Sequence, residues 1–346
     1  MENGSFDGAL KLLQATLVEH PNIARTHHLI GTCHFRRDEW GHAIAAFERA
    51  LAIKEHAQSH YYAGLAAEQV GRWPDVLRHF NRALAMGEEL SFTFALHYGL
   101  GRAYRALGRT DKAARELRAA LKLDPENFDA SATLVATLLD RGQLDAAGAA
   151  LDAMGMSRKP RYLVLRGLLH EQTGEWGQAL AAFADAAALR GEDEVRARLG
   201  AARNALRIHD APAAEEFLAD VTPQDAAQRV ELAVLRGEVA EARGRVAEAH
   251  AAFDGALRED AACPDALLGL GRVALLRGDA DEAAAHFARV LRDESAARRQ
   301  QERRRHPDSR REKPGEGTGL GELAHVPAAA ARSSCAVGSS DAPVRA

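Results

Sequence analysis

Residues 101–125 read GRAYRALGRTDKAARELRAALKLDP. Apart from its glycines this is a strong helix former, yet Gly101 and Gly108 stand seven apart, with alanines at Ala113 and Ala120, Leu117 between them and Pro125 closing the stretch. A glycine inside a helix costs about 1 kcal/mol relative to alanine, so a requirement other than helix propensity must hold it there.

The answer lies in repetition. Leu117 has counterparts at Phe47, Phe80, Leu151, Phe183, Phe217, Phe253 and Phe287, at successive steps of 33, 37, 34, 32, 34, 36 and 34 residues. Four positions earlier come Ala43, Val76, Ala113, Ala147, Ala179, Ala213, Ala249 and Ala283, and three positions later most units carry a second alanine (Ala50, Ala83, Ala120, Ala186, Ala256). Upstream, Gly31, Gly64, Gly101, Gly167, Gly200, Gly237 and Gly271 recur, with Val135 in the one gap. A second glycine series, among it Gly108 and Gly142, marks a turn, where a left-handed residue ends one helix and a polar residue starts the next. Asp124-Pro125 closes a unit, since proline disfavours helix at the residue before it. Each unit therefore reads as helix A, turn, helix B.

Leu100-Gly101, Tyr104, Ala113, Leu117, Ala120 and Pro125 resemble the tetratricopeptide repeat, and about eight such units run in phase over residues 6 to 294. The resemblance implies an all-α fold, a right-handed α-solenoid of stacked antiparallel helix pairs with a concave groove lined mainly by the A helices. The small residues then allow A and B to approach closely while Phe or Leu fills the remaining volume. Residues 1–22 are expected to be a half repeat, either a capping helix or a truncated start, because Ala9, Leu13 and Pro21 fit a second helix. The array is assigned to 23–294. It is degenerate near 194–225, where Asp220, an Ala211-Pro212 turn and a Val221-Thr222-Pro223 break predict a looser joint, and Gly87-Glu88-Glu89 is an insertion expected to bend it. Residues 295–346, basic and then rich in Gly, Ala, Ser and Pro, read as a disordered tail, with one more helical turn through Ala297.

Composition restricts function. Aromatic residues make up 5% of the chain and the net charge is −4. Outside the tail, 35 Lys and Arg face 43 Asp and Glu, which argues against general phosphate binding; nucleic acid is left only a weak route, through the basic run Arg298 to Lys313. Cys33, Cys263 and Cys335 form no CxxC pair, and there is no secretory signal or bilayer-length apolar run, so a cytoplasmic protein is expected. Histidines crowd the first units (His27, His28, His34, His42, His56, His60), but His27, His34 and His60 fall at packing positions and no HExxH or nearby acidic pair completes a ligand set. No metal and no cofactor is expected. GLGRAY, Gly99 to Tyr104, lies inside a repeat helix and is no phosphate loop, and no activated nucleophile is evident.

What remains is a groove for a protein or peptide partner. By analogy with the groove-facing positions of the repeat, the candidates are His28, Phe35, Tyr61, Tyr62, Tyr98, Arg102 and Arg105, of residue types common at interface hot spots. Thr32, Leu65 and Gln69 accompany them, and later units add Arg161, Leu168, Glu171, Glu231, Glu238 and Arg272. The Lys/Asn carboxylate clamp of one subclass is absent, its positions being His28, Thr32, Tyr62, Ala95 and Gly99. The chain thus reads as a non-enzymatic interaction scaffold; the alternatives are the repeat region of a larger sulfotransferase- or glycosyltransferase-type enzyme and an RNA-binding helical-repeat protein. If close packing is what holds the glycines, Gly101→Leu destabilises by about 1–3 kcal/mol in a thermal melt.

Overall fold

The computed structural model describes residues 3–87, 91–155 and 159–305. Among these the backbone is helical, without a strand. A lone helix, α1 (Asn3–Glu19), precedes eight helix–turn–helix pairs. They are α2 (Ala24–Arg36) with α3 (Trp40–Ile53), α4 (Ala57–Gln69) with α5 (Trp73–Ala85), α6 (Thr93–Ala106) with α7 (Thr110–Leu123), and α8 (Phe128–Asp140) with α9 (Leu144–Ala153). The array continues with α10 (Pro160–Thr173) and α11 (Trp176–Ala188), α12 (Glu194–Arg207) and α13 (Ala211–Leu218), α14 (Ala226–Ala242) and α15 (Val246–Glu259), and α16 (Pro264–Arg277) and α17 (Ala280–Arg305). The chain is an α-solenoid in which each even-numbered A helix, from α2 to α14, packs on its B partner and on the next A helix.

The turn between A and B is closed by backbone bonds. At Gly108 (φ 69°) the Gly108 N–H donates to the Arg105 carbonyl at 2.9 Å, and the Arg109 N–H to the Tyr104 carbonyl at 2.8 Å, the pairing of a left-handed helix end. Asp38 (φ 58°) and His209 (φ 62°) hold the same conformation in the first and sixth pairs without being glycine. The polar starter expected after the turn is not a capping side chain: Arg109 and Gln143 stand at the N-cap and make no side-chain cap bond.

Close approach explains the other glycines. A Cβ built on Gly101 would lie 2.6 Å from Leu117 Cγ, an impossible contact. The same ring often serves two helices. Phe80 would be struck at 2.2 Å from Gly64, on its own A helix, and at 2.3 Å from Gly99, on the next one. Phe253 stands likewise between Gly237 and Gly269. In the fourth pair Val135 replaces glycine and packs in one core cluster with Leu151, a smaller residue than the usual Phe.

The sixth pair corrects the expected register. Phe217 is only half-buried, whereas Ala214 and Leu218 are buried, and Gly200 faces Phe183 of the preceding pair. Leu218 therefore takes the bulky position, 35 residues after Phe183 and 35 before Phe253. Nor is Ala211-Pro212 a turn. These residues begin α13, with Asp210 accepting from the Ala213 N–H at 3.0 Å, because a proline in the first helical turn loses no intrahelical bond. The break that follows is anchored by Val221, buried in the cluster with Leu218, Leu232 and Leu235.

At the C-terminal end the chain divides into two units, Met1–Asp293 and Glu294–Ala346. Helix α17 nonetheless continues to Arg305, beyond the single extra turn expected after Glu294, since Ala, Arg, Gln and Glu are all good helix formers. The expected disordered remainder of the tail, residues 306–346, lies outside the described residues, as do Glu88 and Glu89 of the insertion.

The core also holds a polar contact between helices. His60 of α4 and His79 of α5 are buried, with their Nδ1 atoms 3.0 Å apart, so one ring donates and the other accepts. Burial pushes the His79 pKa down to about 4. The folded state thus binds its proton less readily than the unfolded state, whose value is near 6.5. Its contribution to stability is complete above that value and is lost as pH falls from about 6.5 to about 4. Thermal melts across this window should show acid destabilisation that is smaller in His79→Leu than in the parent.

Candidate functional site

The first two and a half repeats bring most of the sequence-predicted residues together. His28, Phe35, Tyr61 and Tyr62 are half-buried in a connected ring cluster. Tyr62 stacks on Phe47 at 5.9 Å and meets Phe35 edge-on at 5.6 Å and His28 at 6.0 Å. Tyr61 stacks on Phe92 at 4.4 Å. His28 Nδ1 is 2.9 Å from Ser59 Oγ; burial lowers the pKa of His28 and raises that of Tyr61. These rings pack against one another within and between repeats and stay partly exposed.

Tyr98 and Arg102 form a second group. The Arg102 guanidinium lies 5.8 Å from the Tyr98 ring centroid, and its Nη1 is 3.1 Å from Glu68 Oε1. Burial raises the pKa of Glu68, and Arg102 opposes that shift. Arg105 does not join either group. Its Nε donates to Asp140 Oδ2 at 2.7 Å, across to the next A helix.

The larger concavity lies further along the chain. Between α12, α14 and α16 is a cleft of about 1100 Å³, adjoined by a smaller one of about 440 Å³ that reaches back to Arg105, and the two share Arg203, Ala227 and Glu231. Its apolar lining includes Leu206, Val230 and Val234, while Glu231, Glu238, Glu241, Glu259, Asp260 and Asp265 supply six carboxylates against Arg203, Arg207 and Arg272. Most of that positive charge is already engaged. Arg203 donates to Glu171 Oε1 at 2.9 Å and also to Glu231. Arg272 grips both oxygens of Glu241, and Arg207 lies over the Trp176 ring at 5.7 Å. Glu238 has no hydrogen-bond partner among the described residues, and burial raises its pKa against the pull of Arg272.

Glu231, Glu238 and Arg272 of this cleft, and Glu171, which pairs with the lining residue Arg203, were legible as groove positions. Arg203, Arg207, Glu241 and Asp265 were missed. A signal for them exists in the spacing: Arg203 follows Glu171 by 32 residues and Arg272 follows Glu241 by 31, one repeat apart, so opposite charges at equivalent positions meet on adjacent A helices. The histidines need a correction as well. His60 packs in the core as expected, but an acidic residue does join the group elsewhere: the ligating atoms of His34, Glu39 and His42 all lie within 4.8 Å of one another.

Sequence profiles of the tetratricopeptide repeat match residues 1–59, 61–114 and 234–302, and a second such profile matches 104–167. Superkiller complex protein 3 of Mus musculus is 28% identical over 192 residues, which is 52% of this chain and 12% of that protein. The Homo sapiens protein of the same name is 29% identical over 190 residues, again 12% of its length. The chain thus spans about an eighth of these relatives. Among solved structures, a tetratricopeptide repeat protein from Parabacteroides merdae superposes with a TM-score of 0.57 at 15% identity, covering 68% of this chain and 93% of that one. The APC/C hetero-tetramer Cut9-Hcn1 gives 0.56 at 14% identity, over 85% and 61%. These likenesses establish the fold. They leave the charge ladder to be tested in this chain: Arg203→Ala, which leaves Glu171 and Glu231 without their shared cation, should destabilise by about 1–3 kcal/mol in chemical denaturation.

Proposed function

Because the chain belongs to the tetratricopeptide repeat family, we propose that it is a non-catalytic protein-interaction scaffold whose α12–α14–α16 cleft receives an extended, basic segment of a partner protein. The observation that carries this reading is the carboxylate surplus over an apolar lining, in which Glu238 has no hydrogen-bond partner among the described residues. A lysine or arginine placed there replaces lost hydration with a charge-assisted bond, while neighbouring apolar side chains of the segment cover Val230 and Leu206. The same surplus repels nucleic-acid phosphate, which disfavours an RNA-binding role. The names of the mouse and human relatives place those proteins in a complex, which accords with a scaffold.

A second contact surface is favoured by the half-buried rings of Tyr62 and Tyr98 and by the exposed Arg102 beside Tyr98. It suits an apolar or aromatic portion of the same partner. No helix among the described residues is long and apolar enough to cross a membrane; a cytoplasmic site of action is part of this proposal.

Fluorescence anisotropy with a labelled lysine-rich decapeptide tests the cleft. Glu238→Gln combined with Asp265→Asn should weaken binding about tenfold, a loss of about 1.4 kcal/mol, and unchanged affinity would remove the cleft from consideration. Since burial raises the Glu238 pKa, the free protein holds this proton to higher pH than an ordinary glutamate; a bound cation favours the ionised form, so affinity should rise with pH through that range. In a pull-down of the partner, Tyr62→Ala with Arg102→Ala should reduce recovery if the aromatic surface takes part.

A further inference from the structure

The turn of the fifth repeat shares five of its ten residues with that of the first, and one of the differences bears on chemistry. Residues 34–43 read HFRRDEWGHA and residues 170–179 read HEQTGEWGQA. In both, the histidine is four residues before the left-handed residue, Asp38 or Gly174. Its carbonyl accepts from the glutamate N–H, at 3.0 Å for Glu39 and 2.8 Å for Glu175. Its ring Nδ1 meets the glutamate Oε2, at 2.5 Å for His34 and 2.6 Å for His170. The histidine–glutamate pair is therefore a fastening of the turn itself, holding the end of the A helix to the start of the B helix. The position three residues beyond the glutamate distinguishes the two: Gln178 in the fifth repeat, His42 in the first.

His42 completes a set of three donors. Its ring stacks on His34 at 5.3 Å between centroids, and one ligating atom each of His34, Glu39 and His42 lies within 4.8 Å of the other two. Four ligands around a zinc-sized ion stand roughly 3.3 Å apart, given metal–ligand bonds near 2.0–2.1 Å. The closing movement required is small, and His42 is exposed and free to make it. Glu39 is held from behind, its other oxygen, Oε1, lying 2.9 Å from Arg37 Nη2, which leaves Oε2 aimed at the histidines. Arg37 is shared with Asp7 of α1, so its positive charge is offset on both sides. A carboxylate oriented by a neighbouring group is the usual support of a metal ligand.

We propose that His34, Glu39 and His42 bind a divalent transition-metal ion of the zinc class, fastening α2 to α3. Two imidazoles and one carboxylate suit zinc, cobalt, nickel or copper rather than magnesium or calcium, which take oxygen ligands. Three protein ligands leave one position for water or a group from outside. The fifth repeat, with Gln178, lacks the third strong donor. This site stands apart from the cleft and does not depend on the peptide-binding reading.

The test uses the full chain, stripped of metal by a chelator and titrated with cobalt(II), whose visible absorption reports coordination by nitrogen and oxygen. The parent should show a saturable band that zinc abolishes by displacement, and zinc should raise its melting temperature through binding to the folded state. His42→Gln gives the first repeat the residue the fifth already carries, so the turn itself is kept; it should weaken cobalt binding at least about tenfold and lose the zinc-dependent shift in melting temperature. A parent protein without a saturable band, or a His42→Gln variant that titrates as the parent does, overturns the proposal.

Discussion

The contact between a B-helix ring and a glycine on an A helix is what the rest of this molecule depends on. Gly64 and Gly99 touch Phe80 from two successive A helices, and Gly167 and Gly200 do the same to Phe183. A single methyl group at any of these positions would overlap the ring. The helix-propensity cost of glycine is offset because one large side chain then fills the space between three helices, and packing at that density leaves little room for substitution.

Bringing A helices this close has an electrostatic consequence. Side chains one repeat apart in sequence become neighbours, so Arg203 reaches Glu171 on one side and Glu231 on the other, Arg161 pairs with Asp129, and Arg272 with Glu241. The pairs tie adjacent repeats together and use up most of the arginine charge on that face. Carboxylates left over, Glu238 above all, give the cleft its negative character. Packing and the charge of the cleft are thus linked through the same small residues.

The legibility of the site followed residue chemistry. Tyr62, Tyr61 and His28 drew attention as aromatic groove positions, and the structure places them together, but as rings that also pack against Phe47, Phe92 and each other. The acidic cleft was only partly visible: Glu231 and Glu238 stood at groove positions, but Glu241 and Asp265 look like ordinary solvated residues until the helices on either side are in place. The register of the sixth pair misled for a related reason. Phe217 matches the motif better than Leu218, yet α13 is a short helix whose start at Ala211 rotates Leu218 inward.

By itself, the sequence determined the repeat, its period and the helix–turn–helix unit. Those properties arise from local contacts that recur in phase, so the spacing of glycine, alanine and phenylalanine records them directly. Tertiary structure alone decided which charges pair across repeats, which carboxylate has no hydrogen-bond partner among the described residues, and that His34, Glu39 and His42 converge on one turn. Each of these depends on where a side chain stands relative to a neighbouring helix, and a shift of one residue in register, about 100° around the helix axis, is enough to change it.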